Sequence, residues 1–172
     1  MRSTEDFDEF VRGRSASLMR SAYLLTGDRH AAEDLVQEVL MRMYARWRSI
    51  RKAPDAYARR ALVHRAINRW RSRSRRPETA LLDRDEATGR DEMAGVTARR
   101  DVVLALRALP PRQRAVVVLR YLDDLSEAET AAVLGCGVGT VKSQASRGLA
   151  RLREALTDDE APQPALQREQ IR

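Results

Sequence analysis

Two stretches of this chain concentrate side chains able to act on a partner. Between Ala56 and Arg76 lie eight arginines, at 59, 60, 65, 69, 71, 73, 75 and 76, and no acid. A segment charged in this way repels itself, and a polyanion relieves the repulsion. Salt bridges to the acidic stretch after Pro77 are the competing explanation. The second stretch, LGCGVGTVKSQASRGLARLR from Leu134 to Arg153, sets Gly135, Gly137 and Gly139 around Cys136 and continues as a basic segment. Glycines at this density either cradle a phosphate or form a turn that aims a helix. A dinucleotide loop needs G-x-G-x-x-G between a strand and a helix, and here the third glycine comes one residue early, after a helical pattern. Gly139-Thr140-Val141-Lys142 does not supply the Gly-Lys-Ser/Thr order of a nucleotide-binding loop either. The pattern therefore predicts no phosphate cofactor.

No constellation for acid–base, nucleophilic or metal chemistry accompanies these stretches, so the chain does not read as an enzyme. One cysteine rules out an internal disulfide, and with two separated histidines it forms no metal-ligand cluster. Cys136 reads as a small turn residue, since nothing basic lies close in sequence to lower a thiol pKa. A net charge of +7 again favours a polyanionic partner, nucleic acid first. The acidic N-terminus, MRSTEDFDEF, lacks the apolar run of a signal peptide, and no apolar stretch reaches membrane-spanning length. These features predict a cytoplasmic protein without membrane insertion.

The elements that must position these side chains are helices throughout. Ala32, Leu35, Val36, Val39, Met43 and Trp47 recur at three- and four-residue intervals, with Asp28 placed as N-cap. Phe7, Phe10, Val11, Leu18, Ala22 and Leu25 predict a helix before it. Ala58, Leu62, Ala66 and Trp70 predict one after it, beginning just beyond Pro54. Trp47 and Trp70 both fall on apolar stripes, which favours core packing over a wedge between bases. From Pro77 the periodicity stops in an acidic, glycine-containing stretch that reads as a flexible linker. The expected organisation is all-α: a helical domain over 1–76, a linker over 77–97, a second helical domain over 98–156 and a disordered tail over 157–172.

In the second domain, Val102, Val103, Leu106 and Leu109 predict a short helix stopped by Pro110-Pro111, with Pro111 opening the next. Ser126 and Glu129 form a capping box for a further short helix ending at Leu134-Gly135. A longer helix follows, with Val141, Ala145, Leu149, Leu152 and Leu156 on one face. This is the pattern of a helix-turn-helix: a small residue, Ala131, at the helix contact, Gly135 at the turn and Val141 as anchor. Lys142, Ser143, Gln144, Ser146 and Arg147 lie off the apolar stripe, where a major groove is one partner and plain solvent the other.

Two separated motifs carry a family resemblance. Arg29-His30-Ala31-Ala32-Glu33-Asp34-Leu35-Val36-Gln37-Glu38-Val39 is similar to the core-polymerase-binding helix of the extracytoplasmic-function (ECF) sigma factors, a two-domain branch of the sigma-70 family. Leu109-Pro110-Pro111-Arg112-Gln113-Arg114, Leu125-Ser126 and Gly139-Thr140-Val141-Lys142-Ser143 resemble that family's C-terminal helix-turn-helix. The resemblance covers Phe7 to Leu156. The run Tyr57-Ala58-Arg59-Arg60-Ala61-Leu62-Val63 is similar to an actinobacterial subgroup.

The resemblance implies a non-enzymatic factor that binds core RNA polymerase at its clamp and flap and directs initiation at promoters with −10 and −35 elements. It implies no cofactor and adds an anti-sigma factor or other regulator as a partner. Asp34, Leu35, Gln37 and Glu38 would meet the polymerase. Ser49, Lys52, Arg60, His64, Arg65, Asn68 and Arg69 would meet the −10 element, with an unstacked base held near the Ser49–Asp55 loop. Thr140, Lys142, Ser143, Gln144, Ser146 and Arg147 would meet the −35 element, and the acidic linker would thread the polymerase cleft. His64 stands where the family often has Asn, which alters the donor and acceptor pattern offered to a base. The alternative from the residues alone is a stand-alone helix-turn-helix regulator that binds duplex DNA without polymerase.

Overall fold

The computed structural model describes residues 3–50, 53–74 and 94–158, and every regular element in them is helical. The first block holds α1 (Thr4–Thr26), α2 (Arg29–Ala45) and α3 (Pro54–Ser74), with a single 3-10 turn, Trp47–Ser49, between α2 and α3. Ser3 caps α1 reciprocally with Asp6, and Gly27 ends it in the left-handed region at φ 72°. Asp28 caps α2, accepting from the Ala31 N–H at 2.7 Å. These caps turn the chain back sharply, so α1 and α2 pack side by side and α3 closes a three-helix bundle.

Leu35, Met43 and Leu62 are fully buried at its centre. Each such side chain stabilises the fold by roughly 2 kcal/mol, against a few tenths for an exposed pair such as Arg29–Glu33. Apolar packing, not surface charge, therefore holds the bundle. Trp47 is buried edge-on against Phe7, 5.0 Å between ring centroids, as its place on the stripe predicts. Trp70 does not follow that rule. It is 45% exposed, because the end of α3 runs past the bundle and borders a shallow cleft beside Pro110 and Pro111.

The second block comprises α4 (Ala94–Ala108), α5 (Pro111–Val117), a π-helical turn continuing it (Val118–Leu122), α6 (Glu127–Leu134) and α7 (Val138–Asp158). Helix α4 begins inside the stretch expected to be linker, and α7 reaches into the stretch expected to be tail. The rest of both, residues 77–93 and 159–172, lies outside the described residues, as do residues 75 and 76. Ser126 and Glu129 form the capping box of α6, at 2.8 and 3.2 Å. Gly135 ends it at φ 65°, and its N–H donates to the Ala131 carbonyl. The carbonyl of Gly137 then accepts from Thr140 and Val141, opening α7 at Val138. Val141 and Ala145 pack on Val116 and Ala131. A Cβ on Gly148 would stand 2.9 Å from Val117 Cγ2, so α7 crosses α5 too closely for a side chain there.

The two blocks pack on each other. Ala115, Val118, Leu119, Leu125 and Val133 join the core of the first block. Arg114 is buried at this joint, donating to the carbonyls of Leu25 at 2.7 Å, Arg107 at 2.6 Å and Leu109 at 3.2 Å. Burial, and secondarily the charge of Arg107, lowers its pKa to about 10, so it remains a cation at neutral pH. Arg114→Ala strands three interior carbonyls. Urea unfolding should show a loss of about 3 kcal/mol, and an unchanged midpoint would mean those carbonyls are satisfied without it.

Candidate nucleic-acid interface

Helix α3 directs its cations to different sides. Arg59 Nε stands 3.8 Å from Asp123 Oδ2 of the second block. Asp123 also accepts from Ser21 Oγ at 2.7 Å. Burial raises the Asp123 pKa, against the Ser21 bond and the Arg59 charge. About two turns and about three turns further along α3, Arg65 and Arg69 turn toward α2. Arg65 Nη1 donates to Glu38 Oε1, and Arg69 Nη2 to Glu38 Oε2 at 3.1 Å. Burial alone would raise the Glu38 carboxyl, but bonds and charge from Arg65 and Arg69 together hold it below the usual range. Arg60 and Asn68 are exposed, and Ser49 Oγ donates to the Arg46 carbonyl at 2.7 Å. Lys52 lies outside the described residues.

On α2, Asp34 and Gln37 are exposed on one face, as their spacing predicts. Leu35 departs from the surface role the resemblance implied: it is fully buried beneath that face and anchors the helix. Glu38 departs in part, since both its oxygens are taken by arginines of the same chain.

On α7, Thr140, Lys142, Ser146 and Arg147 are exposed, with Ser143 and Gln144 half-buried. Lys142 Nζ lies 3.6 Å from Glu127 Oε2, and Ser143 Oγ donates back to the Thr140 carbonyl at 3.0 Å. A cleft of about 130 Å³ separates this helix from α3. His64, Asn68 and Arg71 line one side, and Cys136, Thr140 and Gln144 the other. His64 Nε2 bonds across the joint to the Val133 carbonyl at 2.8 Å. Two residues expected at the −10 element thus face two expected at the −35 element. Sequence reasoning missed Arg114, Asp123 and the carbonyl partner of His64, because nothing in a one-dimensional pattern brings residues of the two blocks together. No group of three or more His, Cys, Asp or Glu among the described residues is arranged to hold a metal.

Two capped helical bundles, each presenting a basic helix, define a modular DNA-binding protein. The model for "Sigma-70 region 2" matches residues 10–76, and that for "Sigma-70, region 4" matches residues 99–152. The RNA polymerase sigma-E factors of Streptomyces avermitilis and Streptomyces coelicolor are 40% and 41% identical to this chain. Each alignment spans 96% of this chain, and 93% and 94% of those proteins respectively. Among solved structures, Bartonella quintana RpoE in complex with the anti-sigma factor NepR superposes with a TM-score of 0.71 at 28% identity. That match covers 91% of this chain and 99% of that one. The chain belongs to the sigma-70 family, as an RNA polymerase sigma factor of the ECF type. It is a non-enzymatic initiation factor that binds core RNA polymerase and promoter DNA, and the stand-alone regulator reading gives way to this one. No described helix is long and apolar enough to cross a membrane.

The lowered Glu38 pKa has a pH signature. A carboxylate held below its ordinary value contributes stability above the unfolded pKa and loses it as pH falls through the lowered one. Glu38→Gln removes that titration. Urea unfolding should show the stability gap between wild type and variant shrinking on acidification from about pH 6 to about pH 3; a constant gap would refute the assignment.

Proposed function

We propose that the surfaces divide as follows. Residues 1–76 and 98–156 act as separate modules on the polymerase, the first at the clamp and the second at the flap. Asp34 and Gln37 supply the clamp contact, being exposed together on α2 above the buried Leu35. The face of α3 bearing Arg60, His64, Arg65, Asn68 and Arg69, with Ser49 and Lys52 in the preceding loop, takes the −10 element. Thr140, Lys142, Ser143, Gln144, Ser146 and Arg147 take the −35 element, at the N-terminal half of α7, where free N–H groups favour a phosphate. The protein works in the cytoplasm, where its polymerase is. Because the Bartonella quintana relative is bound by an anti-sigma factor, we infer a regulator of the same kind for this chain.

The observation that carries this reading is the pairing of two basic helices on two blocks with an exposed polar patch, Asp34 and Gln37, beside the first. Its consequence is conformational. The −10 and −35 elements are about 25 base pairs apart, roughly 85 Å of duplex, yet His64 and Asn68 here line one cleft with Thr140 and Gln144. The blocks must part before both elements are read.

Run-off transcription with core polymerase on genomic fragments tests the whole reading, which tight duplex binding without polymerase would overturn. Arg147→Ala should cost about 1–3 kcal/mol at the cognate −35 element and little at a substituted one; equal weakening at every sequence would make Arg147 a phosphate contact. Asp34→Arg should abolish polymerase binding in a chain whose circular dichroism is unchanged, and normal transcription from it would remove Asp34 from the clamp contact.

A further inference from the structure

Glu38 shares a helix face with Asp34 and Gln37 but is half-buried and turned inward. Its carboxylate accepts from Arg65 at one oxygen and from Arg69 at the other, and Arg42 Nη2 stands 3.7 Å away. Arg69 is pinned a second time, donating to the Ala31 carbonyl at 3.3 Å. Arg65 and Arg69 are one turn apart on α3, so a single carboxylate on α2 sets the direction of both. A guanidinium carries five N–H donors, and these contacts use only some of them. Three guanidiniums around one carboxylate also leave the cluster positive. Glu38 thus orients the pair while leaving charge and donors for a nucleic acid.

We propose that Glu38 is a positioning residue for promoter reading: it holds Arg65 and Arg69 in the orientation in which α3 meets the −10 element, and so ties the polymerase-facing helix to the promoter-facing one. This rests on the reading of α3 as the −10 helix. The role has an unusual signature. Removing the carboxylate adds net positive charge but releases both arginines, so affinity for non-promoter duplex rises while discrimination falls. A loss of structure would lower both.

The test uses the full chain with core RNA polymerase. It compares wild type, Glu38→Gln, Arg65→Ala and the double variant. Three quantities are measured: affinity for core polymerase, the ratio of open complexes on a cognate promoter to those on one with a substituted −10 element, and binding to non-promoter duplex. Glu38→Gln should bind core polymerase within about twofold of wild type and lose about fivefold or more of the ratio, while binding non-promoter duplex more tightly. The double variant should lose no more than the larger single loss, as coupled residues do. Weakened core binding with an unchanged ratio would instead make Glu38 a direct polymerase contact and overturn the proposal. Strictly additive losses would overturn it as well. Full discrimination in Arg65→Ala would overturn the −10 assignment of that arginine, and the positioning role with it.

Discussion

Unbalanced charge on α3 is the constraint that the rest of the structure answers. A helix that carries arginines and, after Asp55, no acid of its own must find its counter-charge elsewhere. Two other segments supply it. Glu38 from α2 takes Arg65 and Arg69, and Asp123 from the second block approaches Arg59. Both carboxylates are partly withdrawn from water, where a pair attracts more strongly but each ion costs more to desolvate. Their pKa values move in opposite directions for that reason. Glu38, met by two guanidiniums, is lowered, whereas Asp123, with a hydroxyl and a more distant arginine, is raised by burial. Arg60 and Arg71 stay exposed, and they extend the basic face outward.

The joint between the blocks combines apolar burial with a few directional bonds. Val118, Leu119 and Leu125 enter the first block's core, which supplies most of the free energy. Arg114, Ser21–Asp123 and His64–Val133 then fix the register. Gly27 is part of the same fit: a Cβ there would collide with the Arg107 side chain. Because His64 and Thr140 line opposite walls of one cleft, the joint brings α3 and the start of α7 close together. The joint therefore combines an apolar patch with bonds to backbone carbonyls.

The glycine-rich turn serves backbone geometry. Gly135 takes a left-handed φ and Gly137 offers its carbonyl to the first turn of α7, so both are spent on ending one helix and starting the next. The turn sets the angle of α7, which the close crossing at Gly148 then locks against α5.

Helix positions, caps and the second block's turn were readable from the sequence because they depend on neighbours within a few residues. Asp28, Ser126, Pro111 and Gly135 act locally, and three- and four-residue spacing marks buried faces such as Val141–Ala145 without any knowledge of what covers them. The family was readable for the same reason, since its motifs are short runs of neighbouring residues. Local pattern failed where a face met something distant. Trp70 sits on the right stripe but beyond the end of its bundle, and Leu35 sits in a binding motif but under its surface. The direction of each α3 arginine, the commitment of Glu38 to two of them and the burial of Arg114 were decided only by the tertiary structure. Each depends on groups far apart in the chain, and only the packed fold sets the distances over which their charges act.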